Sequence, residues 1–477
     1  MALKAMILRK LGDESSAERT IEEAEKIDGL DYWIKSEKRF LEGDDTILSE
    51  FEASMGNALQ NVLETSCCYI NSGALTEAER ILSDYSGHAD TKTLSPMVNY
   101  YMAYCKILSN SPGSELYLDA ASKAPTDYCF PFRLEEIDIL NSAIKANPSD
   151  ARAHYYLGNL LYFLGRKDEG LALWQTAVKL DESIGVAWRN IGFALSRKGK
   201  LNDAISAYQR AVKANPSDAL YYFELDKLYE ASGKPAKERL KVLESNASTV
   251  AKRDDAIARQ IELYIIDGQY GRALDILKNR HFRVWEGGGQ IHETFVDACL
   301  LGGLDKMKSK DYSGAVELFK LGSTYPRNLE VGRPDNGGRI PQSLYFEALA
   351  LESLGKKAEA DKLYAKIVSF PERAPNSPLN FYRAMAFEKL GKNTEAQKLI
   401  GKLKSSATAA LEKEAKMDFF SKFGEQATKS KRDASNRFLL GLAAIASKDN
   451  ATAKNELETA LKLDPDNVWA RYFLSTL

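Results

Sequence analysis

Two stretches concentrate the side chains whose types and spacing suit chemistry. In RHFRVWEGGGQIHET (280–294), Phe282 and Trp285 offer flat faces for stacking, while Arg283, Glu286 and His292 offer polar groups that would fix a ligand's orientation. In YPRNLEVGRPDNGGRIPQ (325–342), Arg327 and Arg333 add two cations. The competing reading puts Phe282 and Trp285 into a groove of the fold and lets the three glycines make a tight reversal with no ligand. Glu286 with Glu330 or Asp335 would supply the pair that glycoside cleavage needs, one acid and one nucleophile or base. A metal site from His281, Glu286, His292 and Glu293 lacks the i, i+4 spacing of a helical zinc motif, and Gly287 to Gly289 lack the G-x-x-x-x-G-K-[ST] spacing of a phosphate loop. A third stretch, DYCFPFRLEE (127–136), is rich in aromatics and proline and contributes Phe130 and Arg133 as candidate contacts. No nucleophile stands beside a base, so the reading leans away from an enzyme and names no catalytic residue, metal or cofactor.

The balance of charge narrows the partners. With 65 Lys plus Arg against 67 Asp plus Glu, the formal charge is -2, so no overall field favours nucleic acid or an anionic membrane. No run of about 18 apolar residues, the length that crosses a hydrocarbon core, occurs. The opening MALKAMILRKLGDESSAER interleaves basic with apolar residues, unlike an export signal, and the chain reads as soluble and cytoplasmic. Five scattered cysteines, with no C-x-x-C among them, encode neither a disulfide framework nor a zinc knuckle and read as small buried side chains.

The elements that must position these residues announce themselves by a period of 34. His154, Trp188 and Tyr222 keep that spacing, as do Leu157, Ile191 and Leu225, and Gly165, Gly199 and Gly233. Leu140, Trp174 and Tyr208 hold a large position, and Ala143, Ala177 and Ala211 a small one. Gly158 and Gly192 fall where two helices cross, with Trp174 or Tyr208 filling the space beside them. Trp188 is likewise expected to fill an inter-helix pocket. ANPSDA, at 146–151 and again at 214–219, ends one pair and caps the next.

A period of 34 is that of the tetratricopeptide (TPR) repeat, two antiparallel helices and a tight turn. The predicted fold is therefore all-α, a right-handed solenoid of about ten such units. Residues 1–126 read as divergent N-terminal repeats, 127–250 as the regular core, and 251–477 as repeats interrupted by loops at 280–294 and 325–342. Both ends stop inside the pattern, so the sequence is expected to be part of a longer protein. Its expected function is a non-catalytic scaffold whose concave face, formed by the first helix of each pair, docks a protein segment or domain.

YCFPFRLEEIDIL (128–140), YYLGNLLYFLGRKDEGLALW (155–174), AWRNIGFA (187–194), RDDAIARQIELYIIDGQYGRALDIL (253–277), HFRVWEGGGQI (281–291) and YPRNLEVGR (325–333) resemble a bacterial family. That family joins an N-terminal domain of unknown function, similar to a galactose-mutarotase-type β-sandwich, to a long TPR tail. The likeness departs at Gly289 and Gln290, where the family's FHPWEGGEGK has an acidic and a small residue, and at YPRNLEVGR, where YPxNLGEGK has Gly and Lys. It covers the tail alone. The resemblance implies a missing upstream β-sandwich as partner, carbohydrate as a further candidate ligand, and a role beside a carbohydrate-processing centre that sits mainly on the missing part.

Overall fold

The computed structural model describes residues 1–43, 58–88, 94–283, 290–412 and 429–477; among these the regular elements are helices and no strand occurs. They form an α-solenoid of antiparallel helix pairs divided into two compact units, Met1–Asn215 and Pro216–Leu477. The division falls inside the stretch read from sequence as the regular core.

The first unit pairs α1 (Ala2–Lys10) with α2 (Glu14–Ile27), α4 (Leu59–Asn71) with α5 (Leu75–His88), and α6 (Pro96–Leu108) with α7 (Ser114–Lys123). It continues with α9 (Ala151–Phe163) on α10 (Lys167–Leu180) and α11 (Gly185–Arg197) on α12 (Leu201–Ala214). Between these, α3 (Tyr32–Glu42) packs on α2, and α8 (Glu135–Ala146) packs on α6 and α9.

Four of the described pairs close by fitting a large side chain against a glycine. A Cβ on Gly158 would stand 2.6 Å from the Trp174 ring, and one on Gly192 would stand 2.5 Å from the Tyr208 ring, so only glycine permits the approach. Gly303 faces Phe319 and Gly441 faces Leu457 in the same way in the second unit. All four pairs are sixteen residues apart. The turns follow the expected pattern: Gly165 and Gly199 take φ of +87° and +72°, ending the first helix. The Asp of each ANPSDA also caps as expected. Asp150 accepts from the N–H groups of Arg152 and Ala153, and Asp218 from that of Leu220.

The column His154, Trp188, Tyr222 has one shared task. Each donates or bonds to the backbone carbonyl six residues upstream, on Pro148, Glu182 and Pro216 respectively, at 3.1 Å. These bonds tie the inter-pair loop to the helix that follows it. Trp188 is accordingly half-buried, with Arg210 over its ring at 4.7 Å, and does not fill an inter-helix pocket. Trp188→Ala is therefore expected to cost about 1 kcal/mol, a lost hydrogen bond with some packing, instead of a cavity's several. The shift of the urea midpoint measures it.

The second unit begins with α13 (Ala219–Ala231), α14 (Ala236–Glu244) and the short α15 (Ala247–Val250). It then stacks α16 (Asp254–Ile266) with α17 (Tyr270–Asn279), α18 (Gln290–Lys308) with α19 (Tyr312–Gly322), and α20 (Ile340–Ser353) with α21 (Lys357–Ser369). After these come α22 (Leu379–Lys389) with α23 (Asn393–Glu412) and α24 (Lys429–Ala446) with α25 (Asn450–Leu463). The seven-residue α26 (Val468–Leu474) follows.

Candidate interaction surfaces

The aromatic stretch before α8 is a ridge. Its side chains alternate: Cys129 and Pro131 point inward and are buried, whereas Tyr128, Phe130, Phe132 and Leu134 are 94%, 70%, 48% and 65% exposed. Burial pushes the Cys129 thiol up to about 12, so it behaves as a small apolar anchor. Tyr128 holds φ of +56°, unfavourable for a residue with a Cβ.

The ridge is pinned from beneath. The buried Glu136 carboxylate accepts from the N–H of Phe132 at 2.7 Å, the N–H of Arg133 at 2.9 Å and the hydroxyl of Tyr101 at 3.2 Å. Burial nonetheless raises its pKa above the ordinary value. Arg133 donates to the Gln60 side chain at 2.6 Å and the Gln60 carbonyl at 3.0 Å, and its guanidinium lies 4.4 Å from the Phe132 ring centroid. The sequence offered Phe130 and Arg133 alike as contacts. Phe130 is free for contact; Arg133 is a strut that fastens the ridge to α4.

The two off-repeat loops of the second unit meet, as a shared surface requires. Asn328 is the stitch: its amide donates to the carbonyls of Leu277 at 2.8 Å and Arg280 at 2.7 Å, and its own carbonyl accepts from the N–H of Phe282 at 2.8 Å. His281 reaches Glu330 at 2.8 Å across the same seam. Two expected contacts turn inward. Phe282 is only 2% exposed, under Arg280, and His292 is buried, with its ring stacked on Tyr325 at 3.9 Å and its Nε2 on the Thr324 carbonyl at 2.9 Å. Burial lowers the His292 pKa, so it serves as a neutral packing group. An aromatic beside a loop is apolar surface first, and both rings found cover. Arg283, Arg327 and Arg333 remain exposed, with the Arg283 N–H on Asp254 at 3.0 Å. Trp285 and Glu286, and with them the Glu286 carboxylate pairings, lie outside the described residues.

The inner face of the second unit holds the surface that the sequence did not reveal. Trp469 of α26 donates its indole N–H to Asp297 of α18 at 2.7 Å and stacks on Phe346 of α20 at 5.8 Å. Phe473 meets Phe381 of α22 at 5.6 Å and Phe438 of α24 at 6.2 Å. The first helices of four successive pairs thus converge on α26. Just before it, Asp466 pairs with Arg239 of α14, and Lys431 of α24 pairs with Glu230 of α13 at 2.8 Å.

Those two ion pairs belong to a buried cluster. Arg239 forks onto Asp226 at 2.9 and 3.0 Å, and Arg259 reaches Asp226 at 2.9 Å and Glu230 at 3.1 Å. Burial pushes the Glu230 carboxyl up, but Arg259, Lys431 and Lys227 more than reverse this and hold it at about 2. Lys227 is pushed below its ordinary value by burial and by Arg259.

Among the described residues no helix is long and apolar enough to cross a membrane. The chain is similar to solved TPR proteins at low identity. YrrB, described as a TPR protein with an unusual peptide-binding site, is 14% identical over 54% of this chain and 96% of its own, with a TM-score of 0.27. MamA 41-end from Desulfovibrio magneticus RS-1 is 17% identical over 41% of this chain and 96% of its own, with a TM-score of 0.24. Repeat families described as tetratricopeptide repeat match residues 151–184 and 185–218 and, separately, 434–467, so TPR units occur in both halves of the chain.

Proposed function

We propose that the chain is a non-catalytic TPR scaffold that holds a folded protein domain, and that the ridge from Tyr128 to Leu134 is where it does so. The ridge carries the reading. Large aromatic side chains are the usual anchors of protein interfaces, and contiguous exposed apolar patches mark interaction sites. The backbone at Phe132 and Arg133 is also held in place before any partner arrives, by Glu136 and by Arg133 on Gln60, which lowers the entropy lost on docking. The resemblance to a bacterial TPR tail supports a β-sandwich domain as the partner and the cytoplasm as the place. With Phe282 and His292 buried, no specific observation favours the carbohydrate reading.

The test is photo-cross-linking of the full chain in its native cells. A benzophenone amino acid in place of Phe130 is expected to capture one protein, which the same group in place of the exposed Lys179 on α10 does not. Phe132→Ala should lower that yield several-fold while changing stability by no more than about 0.5 kcal/mol. Equal labelling from both positions would overturn the reading, and a captured partner without a β-sandwich would overturn that choice of partner.

A further inference from the structure

We propose that Lys227 of α13 is an acylation site, whose amine accepts the acyl group of a small acyl phosphate. The inference goes beyond the scaffold reading and does not depend on the ridge.

The buried cluster leaves Lys227 as the cation with no carboxylate of its own. Glu230 gives Oε1 to Lys431 at 2.8 Å and Oε2 to Arg259 at 3.1 Å, and Asp226 is shared between Arg239 and Arg259. Glu262 is engaged by Arg259 as well. Among the described residues Lys227 makes no hydrogen bond; its Nζ stands 3.9 Å from Glu230 Oε2, beyond bonding distance. The Phe223 ring, one turn back on α13, has its centroid 5.9 Å from Nζ, the outer limit of a cation–π contact. The side chain is still 20% exposed, which leaves an approach from solvent for a donor of small size.

An ammonium so placed gives up its proton more readily than one in water. Burial disfavours its charge and Arg259 and Lys431 repel it, while Glu262 and Glu230 offset this only in part, so the group sits below its ordinary range. These are the charged groups that face it, from α13 itself, from α16 and from α24. A lysine desolvated beside other cations is the form in which this side chain becomes a nucleophile.

The step balances without any further reactant. The ammonium loses one proton to water, and the freed lone pair attacks the carbonyl carbon of the acyl phosphate. An N–C bond forms, the bond from that carbon to the phosphate oxygen breaks, and inorganic phosphate leaves with the electron pair. The nitrogen gives its next proton to water and remains as a neutral amide. Glu230 then keeps two of its three cations.

The experiment incubates the full chain with acetyl phosphate from about pH 6 to about pH 10, a range that brackets the free amine of an ordinary lysine, and reads acetylation site by site by mass spectrometry. At neutral pH Lys227 is expected to react several-fold faster than the exposed Lys237 of α14. Its rate should also level off at a lower pH than that of Lys237, a readout that separates reactivity from access. Lys431→Gln removes a neighbouring cation and frees Glu230 Oε1, so it should move the Lys227 profile to higher pH and leave that of Lys237 in place.

A Lys227 profile that coincides with that of Lys237, or a slower Lys227 at neutral pH, overturns the proposal, and both are read on the unaltered chain. A Lys227 profile unmoved in a Lys431→Gln chain of unchanged helix content overturns the cluster as the source of the reactivity.

Discussion

Trp174→Ala is expected to destabilise the first unit by about 3 to 5 kcal/mol, the range for emptying a large buried aromatic site. Trp174 is 3% exposed, lies against the notch left by Gly158, has Tyr162 beside it at 4.8 Å, and donates its indole N–H to Asn159 at 2.9 Å. The glycine exists to make that room, so truncation leaves two facing backbones with nothing between them. Asn159 also accepts from Asn190 of the next pair at 3.1 Å, so the loss is felt across the boundary between pairs. Urea unfolding read by circular dichroism measures the loss. A shift no larger than that of Trp188→Ala would refute the notch as the source of stability.

Arg239→Ala is expected to cost the second unit about 3 kcal/mol, because it empties a fully buried site and takes away one of the two guanidiniums on the buried Asp226 carboxylate, leaving Arg259 as the other. Arg239 and Asp226 are 1% and 2% exposed, so water cannot replace the guanidinium. The same cluster sets an acid limit. Glu230 sits at about 2 in the folded chain against an ordinary value of 4.5, so its contribution is complete above about 4.5 and is lost as pH falls toward 2. Glu230→Gln is therefore expected to be less stable than the unaltered chain at pH 7 and to converge with it near pH 2. Unfolding midpoints across that range check the sign, and a constant gap would show that the cluster does not act through Glu230.

What could be read in advance was whatever repeats locally. Gly158 with Trp174, Gly192 with Tyr208, and the turn glycines 165 and 199 express contacts between residues about half a repeat apart, and spacing alone exposes them. The hydrogen bond from position i to the carbonyl at i−6 hid in the same columns, because His, Trp and Tyr look dissimilar until a polar atom of each side chain is placed on that carbonyl. The loops were harder. Alternation of exposure along Tyr128 to Leu134 was available as a pattern, yet only burial separates Phe130 from Arg133 and Phe282. The inner face of the second unit had no local signature at all: Trp469 and Asp297 are 172 residues apart, and Arg239 and Asp466 are 227 apart.

Those long spans change how the second unit must come apart. A linear array whose members touch only their neighbours frays from its ends, losing one pair after another. Here Lys431 with Glu230 and Asp466 with Arg239 fasten the last pairs to the first, so neither end is free to fray while the other stands. The unit behaves as a hoop, and a hoop gives way once. Pulled between its termini or heated, it should hold its length until the ion pairs at the join part and then yield in a single cooperative step.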